Sequence, residues 1–282
     1  MKIIHKIKDM IDFSNEARKE GRTIGFVPTM GYFHEGHLSL MREAAKICDV
    51  VVAGIFVNPI QFDVNEDFSV YPRDLDRDIK MIKEIDVDVL FNPESNEMYP
   101  SEYNVFVNLE GHMVNALCGK SRKGHFKGVA TVVLKLFNIV NPHKSFFGQK
   151  DAQQCVVLKK MAKDLNLMTE IVILPTVREE DGLAMSSRNA YLTARERKAA
   201  PNLYKTLQMA HHMIELGERD TGKILREMEK KLEKSHVIDI EYMAIVDPEK
   251  LNDIKAISDK ALIAVAAHLG KTRLIDNIAV EI

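Results

Sequence analysis

Cysteine is scarce in this sequence, and the few cysteines present form no recognisable pattern. The three residues Cys48, Cys118 and Cys155 are widely spaced, odd in number and without a Cys-x-x-Cys pair. Such a set does not build a disulfide framework, so buried and unreactive thiols in a reducing compartment are expected. We therefore expect a cytoplasmic protein.

Long hydrophobic runs are also lacking. No stretch is long enough to cross a bilayer, and residues 1–6 do not contain the apolar core of a signal peptide. The sequence shows neither an internal repeat nor a low-complexity segment. We therefore expect no membrane partner.

Neither sign of charge dominates. The chain has 39 Lys and Arg against 41 Asp and Glu, a formal net charge of −2. Without a basic excess there is no general attraction to nucleic acid, so no nucleic-acid partner is expected. With 46% hydrophobic and 28% charged residues, the 282 residues can form one large or two modest globular domains.

A glycine-bearing stretch, Pro28–His37, lies between a strand pattern and a helix pattern. A loop that leads into a helix presents free backbone N–H groups and the positive end of the helix dipole, which suits a phosphate. His34 and His37 are three residues apart at the helix start, so both rings can face the same way. Imidazoles in that position can stabilise the charge that builds up on a phosphate during its transfer.

The two histidines leave other interpretations open. They could be zinc ligands, although the zinc-protease signature has two residues between the glutamate and the second histidine, and only Gly36 separates Glu35 from His37. They could also be polar residues that cap a helix. From these residues alone, phosphate binding, metal binding and structural capping all remain possible.

The order of the strand and helix patterns predicts an α/β fold with a parallel, doubly wound sheet. Residues 50–57 are apolar without alternation, as in a central strand buried on both faces. Further strands are expected over 87–91 and 168–175, and one at Asn104–Leu109. The sequence over 194–216 predicts one long amphipathic helix.

The character of the chain changes after Thr193. A second helical pattern over 221–235 is followed by three strand-like runs at 240–246, 261–267 and 274–280. Helices followed by a small antiparallel sheet indicate a second, smaller α+β domain. We place the domain boundary between residues 180 and 181, which gives domains of 1–180 and 181–282.

Three other segments carry polar residues suited to ligands. Gln61 lies in the loop after the strand at 50–57, where open α/β sheets bind their ligands. Residues 118–128 combine four cations with three glycines, which is typical either of a solvated loop or of a site for polyphosphate or carboxylate. Gly148 to Gln154 repeats the order strand, glycine, helix start, with Lys150 placed to meet phosphate and Asp151 placed to cap the helix.

The sequence also resembles a known family. His34-Glu35-Gly36-His37 resembles the HxGH motif of the nucleotidyltransferase superfamily, and its setting resembles that of the pantoate–β-alanine ligase (pantothenate synthetase) family. The resemblance covers essentially the whole chain, because further segments match in the same order: Phe56–Phe62, Tyr71–Arg73, His125–Val129, Gly148–Gln154 and Val177–Asn189.

This resemblance implies a Rossmann-like N-terminal domain that binds ATP and pantoate, a smaller C-terminal lid domain and a homodimer. It implies the ATP-dependent condensation of (R)-pantoate with β-alanine through a pantoyl adenylate, which gives pantothenate, AMP and diphosphate, with Mg²⁺ on the phosphates. Metal ligands are not apparent: Asp76 and Asp78 are candidates, but both are also compatible with a solvated helix face.

The resemblance also implies site residues. His37 is the family's acid with His34 beside it, and Lys150 and Arg188 would neutralise phosphate charge. Gln61 and Gln154 would hold pantoate, with Gln61 also near β-alanine. The residues that would bind ATP are Met30, Gly31, Tyr32, Phe33, His34, Glu35, Gly36, His37, Gly148, Gln149, Lys150, Asp151, Val177, Met185, Ser186, Ser187 and Arg188.

Two other functions stay open. An HxGH nucleotidyltransferase that acts on a phosphorylated acceptor would need cationic contacts where this chain has Gln61 and Gln154. A non-catalytic nucleotide-binding module is the alternative outside enzymes. No nucleophile motif such as G-x-S-x-G is present, which fits a reaction that needs alignment and charge neutralisation rather than a covalent enzyme intermediate.

Overall fold

A computed structural model describes residues 1–63 and 66–282. The chain divides into two compact units. The first comprises Met1–Glu110, Arg122–Gly148 and Val157–Pro175, and the second comprises Gly111–Ser121, Gln149–Val156 and Thr176–Ile282. The boundary between residues 180 and 181 stays a prediction.

The first unit contains a six-stranded sheet. Its strands are β1 (Lys2–Ile4), β2 (Ile24–Thr29), β3 (Val50–Ile55), β4 (Val89–Phe91), β5 (Lys144–Gly148) and β6 (Glu170–Leu174). They are parallel and lie in the order β1-β4-β3-β2-β5-β6. The predicted parallel, doubly wound sheet is therefore confirmed.

The strand order changes direction between β2 and β5. From β2 the chain adds β3 and β4 on one side and then crosses to add β5 and β6 on the other. Ligands of open α/β sheets bind beside the carboxyl ends of the strands at such a switch point. Here those ends are Thr29, which leads into the histidine loop, and Gly148.

Helices of the chain connect these strands and complete both units. They are α1 (Ile7–Lys19), α2 (Glu35–Ile47), α3 (Leu75–Ile82), α4 (Ser95–Met98), α5 (His112–Asn115), α6 (Cys118–Ser121), α7 (His125–Val140), α8 (Ala152–Asp164), α9 (Ala194–Ala199), α10 (Asn202–Glu215) and α11 (Thr221–Leu232). Short 3₁₀ turns lie at Pro59–Gln61, Gln149–Asp151 and Ser187–Tyr191. None of the helices in the described ranges is long and apolar enough to cross a membrane.

The core of the first unit forms around the middle of its sheet. Every residue of β3 is buried, which explains why its sequence is apolar without alternation. Leu38 and Met41 on α2 and Ile82 on α3 pack in one cluster with Val51 of β3. Packing on α2 therefore holds the start of this helix, which carries the two histidines, against the sheet.

The second unit contains an antiparallel sheet of three strands, β7 (Ile238–Val246), β8 (Lys260–Leu269) and β9 (Thr272–Glu281), in that order. Leu207 of α10 and Met228 of α11 pack with Ile263 of β8 in its hydrophobic core. The predicted combination of helices with a small antiparallel sheet is confirmed.

The strand expected at Asn104–Leu109 is absent. This segment is irregular, with Val105 70% and Phe106 43% exposed. The backbone N–H of Val107 donates to the hydroxyl of Thr131 at 2.9 Å, and the Lys127 ammonium lies 4.3 Å from the centre of the Phe106 ring. The apolar side chains of this segment are thus largely exposed, and the backbone N–H of Val107 bonds to a side chain rather than to a neighbouring strand, a distinction that hydrophobicity alone does not reveal.

The single helix predicted over 194–216 is two helices, α9 and α10, with a break at Ala200 and Pro201. Proline has no backbone N–H to continue the hydrogen-bond ladder, and it is tolerated at the start of a helix. Pro201 accordingly precedes the first residue of α10. The amphipathic period persists through the break, which is why the pattern suggested a single helix.

Candidate active site

The loop after β2 has an unusual backbone, which is held by a carboxylate. Gly31 and Tyr32 both have positive φ angles, 78° and 53°. The following N–H groups point to Asp78 on α3: those of Tyr32 and Phe33 donate to its carboxylate at 2.6 and 2.7 Å. A Cβ atom at position 31 would lie 3.1 Å from Asp78 Oδ2 and 3.1 Å from Ile55 Cγ2. Glycine is therefore favoured at position 31 by both the φ angle and the limited space.

Asp78 is buried, with 1% of its surface exposed, so the solvated helix face considered above is wrong for this residue. Asp76, two residues earlier, is exposed. Burial raises the pKa of Asp78, while the two N–H donors and the Arg77 guanidinium act in the opposite direction. Both carboxylate oxygens already accept from the loop. Asp78 is thus a structural anchor for the loop between β2 and α2.

The histidine pair lies where that loop enters α2, which begins at Glu35. The imidazole rings of His34 and His37 are stacked, with their centroids 4.0 Å apart and their planes at 28°. The backbone N–H of His34 donates to Nδ1 of His37 over a long 3.4 Å. Because Nδ1 accepts, the neutral His37 ring carries its proton on Nε2. The rings lie together as their spacing suggested, and their catalytic role stays a prediction.

Gln61 is held by neighbours from three other parts of the first unit. Asn58 donates through Nδ2 to Gln61 Oε1 at 3.0 Å and to the carbonyl of Gly128 at 3.2 Å. Tyr99 donates its hydroxyl to Asn58 Oδ1 at 2.8 Å. The side-chain amide nitrogen of Gln61 donates to Met30 Sδ at 3.2 Å. The structure therefore brings together two predicted site residues, Met30 and Gln61.

A cavity of about 200 Å³ lies beside Gln61 in the first unit. Its lining includes Lys123, His125 and Lys127 from the basic segment. His125 donates through Nδ1 to the Gln61 carbonyl at 2.9 Å, because its Nε2 accepts from Arg122 at 2.9 Å. The basic segment is therefore attached to the turn that presents Gln61.

Arg122 forms a bidentate ion pair with Glu66, with both N···O distances 2.6 Å. Burial acts to raise the pKa of Glu66, but the hydrogen bonds and charge of Arg122 outweigh it and lower that pKa. The guanidinium is thereby committed to an internal partner. Arg122, Lys123 and Lys127 of the basic segment all line the cavity, and of these three Arg122 is ion-paired with Glu66.

A second cavity of the first unit, about 360 Å³ in volume, adjoins the loop after β2. Met30, Gly31 and Tyr32 line it together with Arg73 and Asp78. The Arg73 guanidinium donates to the carbonyls of Tyr71 and Phe68 at 2.9 and 3.0 Å. The loop that carries the histidines is thus accessible from a cavity.

In the second unit, the predicted residues Gln149–Asp151 form one 3₁₀ turn. Lys150 Nζ lies 3.8 Å from Asp151 Oδ1, and the side chain of Lys150 is 20% exposed. Gln154 is partly buried. The neighbouring Gln153 is 5% exposed and donates to the carbonyls of Met113 and Ala116 at 2.9 and 2.8 Å. The position of Gln153 in the sequence gave no indication of these two hydrogen bonds.

The predicted residues of the 177–188 segment pair across a short hairpin. The N–H of Met185 donates to the carbonyl of Val177 at 3.0 Å, next to an antiparallel bridge between Arg178 and Ala184. Ser186 accepts through its hydroxyl from the N–H of Arg188 at 3.2 Å and so caps the 3₁₀ turn that starts at Ser187. This hairpin therefore brings Val177 to Met185 and precedes the turn that bears Arg188.

A model of the pantoate–β-alanine ligase family matches residues 2–279 of this sequence. The chain belongs to this family. The pantothenate synthetase of Caldicellulosiruptor saccharolyticus is 52% identical over 282 residues, all of both chains. That of Thermotoga petrophila is 53% identical over 277 residues, 98% of this chain and 99% of the other. The resemblance noted in the sequence is confirmed.

Solved structures of the pantoate–β-alanine ligase family share the fold. Pantothenate synthetase from Thermus thermophilus superposes with a TM-score of 0.94 at 42% identity, over 99% of each chain. The ligase from Francisella tularensis, complexed with beta-gamma ATP and β-alanine, gives a TM-score of 0.82 at 35% identity, over 99% of this chain and 97% of that one. The predicted fold class and enzyme class are confirmed at the level of the family.

Sequence reasoning missed several residues that position the predicted site. Asn58 had a local signal, since it is a polar residue directly after a buried strand. Asp78 was considered only as a metal ligand or a solvated residue, Glu66 appeared as an ordinary acidic residue, and Asn277 lies within a strand pattern that gave it no prominence. Asp78, Glu66 and Asn277 act through contacts with residues distant in sequence, so no local pattern identifies their roles.

Proposed function

We propose that this chain condenses (R)-pantoate with β-alanine at the expense of ATP, giving pantothenate, AMP and diphosphate. The observation that carries the proposal is the stacked pair of His34 and His37 at the start of α2, directly after β2, in a member of the pantoate–β-alanine ligase family. The Francisella relative, crystallised with a form of ATP and β-alanine, supports the choice of substrates.

The reaction has two chemical steps. A carboxylate is a poor electrophile, so a pantoate carboxylate oxygen first attacks the α-phosphorus of ATP, and the bond from that phosphorus to the bridging oxygen of diphosphate breaks. The amine of β-alanine then attacks the acyl carbon of the pantoyl adenylate, loses a proton, and expels AMP. No enzyme nucleophile is needed, so catalysis consists of alignment and charge stabilisation.

His37 is suited to the first step by its tautomer. Its Nδ1 accepts from the backbone N–H of His34, which places the proton of the neutral ring on Nε2. In the proposed mechanism this N–H donates to an oxygen of the α-phosphate as negative charge develops there. His34 is stacked on it and restricts its rotation. Glu35, also predicted to line the ATP site, pairs with Arg42 on the same helix. We assign His37 as the donor and His34 as its supporting partner.

For pantoate, we propose Gln61 and Gln154 as neutral hydrogen-bonding residues. An amide can donate to a carboxylate and accept from a hydroxyl without adding a fixed charge. Lys123 and Lys127 line the cavity beside Gln61 and give it a positive character suited to the carboxylates of both acids. A phosphorylated acceptor would be expected to find guanidinium groups here, but Arg122 is engaged with Glu66.

The remaining predicted ATP residues retain their roles as proposals. In the first unit these are Met30 to Phe33, Gly36 and Gly148. In the second unit Lys150 and Arg188 would neutralise phosphate charge, with Gln149, Asp151, Val177, Met185, Ser186 and Ser187 around the nucleotide. Lysine and arginine are suited to this task because both donate charged hydrogen bonds to phosphate oxygens.

In the described part of the chain, the acidic and histidine side chains do not form a dedicated Mg²⁺ cage. Among residues 1–63 and 66–282 no group of three or more His, Cys, Asp or Glu side chains could hold a metal ion, and Asp78 is occupied by loop N–H groups. Mg²⁺ commonly binds through substrate phosphates. We propose that it binds this protein with the phosphates of ATP, whose charge it neutralises.

An assay of AMP release tests the function. We expect AMP to form only when ATP, Mg²⁺, pantoate and β-alanine are all present, in amounts equal to the pantothenate formed. Omission of β-alanine should still permit pantoate-dependent exchange between ATP and labelled diphosphate. AMP release without pantoate, or transfer to a phosphorylated acceptor instead, would contradict the proposal, and nucleotide binding without turnover would indicate a non-catalytic module.

We also propose that the protein is a homodimer in the cytoplasm. The dimer follows from the family resemblance, and the location from three scattered cysteines without a disulfide pattern. Sedimentation velocity should give the mass of two chains. A species with the mass of one chain across the concentrations used in the assay would contradict the dimer.

A further inference from the structure

The turn that carries Lys150 is attached to β9 through one side chain, Asn277. Its amide nitrogen donates to the carbonyl oxygens of Gln149 and Lys150 at 3.0 and 2.8 Å. Its amide oxygen accepts from Nε2 of Gln149 at 3.2 Å. Both hydrogens of the amide nitrogen are thus used on two successive carbonyls, and Asn277 itself is 5% exposed.

A buried ion pair holds Asn277 in place. The carboxylate of Asp276 accepts the backbone N–H of Asn277 at 2.8 Å and pairs with the Arg178 guanidinium at 2.6 and 2.9 Å. Arg178 also donates to the carbonyl of Gly182 at 3.1 Å, and its guanidinium lies 3.5 Å from the centre of the Tyr204 ring. The hairpin at 177–185 and the turn at 149–151 are therefore attached to adjacent residues of β9.

The packing of β9 does not require asparagine at this position. Asparagine is disfavoured in strands, and a buried amide costs free energy unless its polar atoms are paired. An apolar side chain at this buried position would avoid the free-energy cost of removing a polar amide from water. Among the residues that the structure describes, the Asn277 side chain hydrogen-bonds to Gln149 and Lys150, and these bonds explain why an asparagine occupies this position.

We infer that Asn277 is a positioning residue for ATP: by fixing two consecutive carbonyls of the 149–151 turn, it sets the direction from which the Lys150 side chain leaves the backbone. Asp276, paired with Arg178, holds the backbone of Asn277 in place through the N–H of that residue. The same ion pair attaches the segment around Val177 to β9. This inference rests on the proposed function, in which Lys150 contacts the phosphates of ATP. A small displacement of such a group is costly, because charge stabilisation depends on fixed geometry.

Two variants at position 277 test the inference. Asn277→Ala leaves the two carbonyls without their donor, and we expect the KM for ATP to rise about tenfold while the KM for β-alanine stays unchanged. Asn277→Asp keeps the size but directs oxygens at the carbonyls, and should raise the KM for ATP at least as much. Loss of folded protein alone would lower the apparent kcat and leave the KM for ATP unchanged.

A double-mutant cycle shows whether Asn277 acts through Lys150. If it does, Asn277→Ala should change the KM for ATP by less than about twofold in a Lys150→Ala background. A matched control is Thr221→Val in the same unit, which removes the hydrogen bond from a buried hydroxyl to the Ile254 carbonyl at 2.6 Å. It should lower the melting temperature without changing the KM for ATP.

The outcomes separate this inference from the proposed function. An unchanged KM for ATP in both Asn277 variants, or an undiminished effect in the Lys150→Ala background, would overturn the positioning role while the wild-type enzyme remains active. A Lys150→Ala variant that uses ATP normally would overturn it too, because nothing would be left to position. If the proposed function is wrong, wild-type protein with all substrates forms no pantothenate, a result obtained before any variant is made.

Discussion

His37→Ala is expected to lower the rate of pantoyl adenylate formation by about 100-fold or more, the scale seen when one transition-state hydrogen-bond donor is removed. The reason is the tautomer: Nδ1 of His37 accepts from the His34 N–H, so the neutral ring carries its proton on Nε2, the group that we propose donates to the α-phosphate. The measurement is pantoate-dependent exchange of labelled diphosphate into ATP, which reports the first step without β-alanine.

Two further substitutions separate the chemical role of His37 from its role in the loop. His37→Asn retains an acceptor near the position of Nδ1 but has no N–H near the position of Nε2. We therefore expect its exchange rate to be as low as that of His37→Ala. His37→Gln places an N–H near the position of Nε2 and should recover part of the rate. His236→Ala, at an exposed histidine of the second unit, should exchange at the wild-type rate. Exchange near the wild-type rate in His37→Ala would remove His37 from the mechanism.

Asp78→Asn is the second change with a large expected effect. An asparagine side chain offers one oxygen where the loop needs two, so the N–H of Tyr32 or of Phe33 would face an NH₂ group. A buried donor without an acceptor costs about 1–3 kcal/mol, and we expect that loss in the free energy of unfolding. The loop would shift with it, so we expect adenylate formation to fall about tenfold or more.

Asp76→Asn is the matched control for this experiment, because it makes the same chemical change on the exposed side of α3. It should alter neither urea denaturation nor exchange. Titration of Mg²⁺ provides the decisive comparison. If excess Mg²⁺ restores the activity of Asp78→Asn, then Asp78 binds the metal and its assignment as a loop anchor is wrong.

The pH dependence of stability provides a second measurement of Asp78. Burial raises the pKa of this carboxyl above that of the unfolded chain, so the folded state binds more protons between the two pKa values. The contribution of Asp78 to stability therefore falls as pH rises through that window. Asp78→Asn does not titrate and should lack this component, so the stability difference between wild type and variant should change with pH across the window.

Much of the fold was predictable because it follows from local periodicity. The uninterrupted apolar run at Val50–Ile55 indicated a strand covered on both faces, and β3 is buried throughout. The break at Pro201 and the irregular segment at Asn104–Leu109 were not predicted correctly. Both carry a regular apolar pattern, while the outcome depends on whether backbone N–H groups find partners, which hydrophobicity does not report.

The candidate site was predictable only in part, and the reason is distance along the chain. His34 is the N-cap residue of α2 and His37 lies three residues later, so the capping arrangement between them places their rings together. The contacts that shape the loop and the turn span far greater separations: Asp78 is 46 residues from Tyr32, and Asn277 is 128 residues from Gln149. The histidine motif was therefore visible in the sequence, whereas the roles of Asp78 and Asn277 in holding the loop and the turn were not.

The amino-acid order alone determined the parallel sheet with its smaller second domain, the glycine turn that leads into a helix, and the family to which the chain belongs. Tertiary structure decided which polar residues hold the histidine loop and the Lys150 turn in place. It made Asp78 a buried anchor of the loop rather than a solvated acid, Arg122 the ion-pair partner of Glu66, and Asn277 the support of the Lys150 turn. The physical reason is that a polar group's role depends on its burial and its partners, and both are set only when distant segments meet.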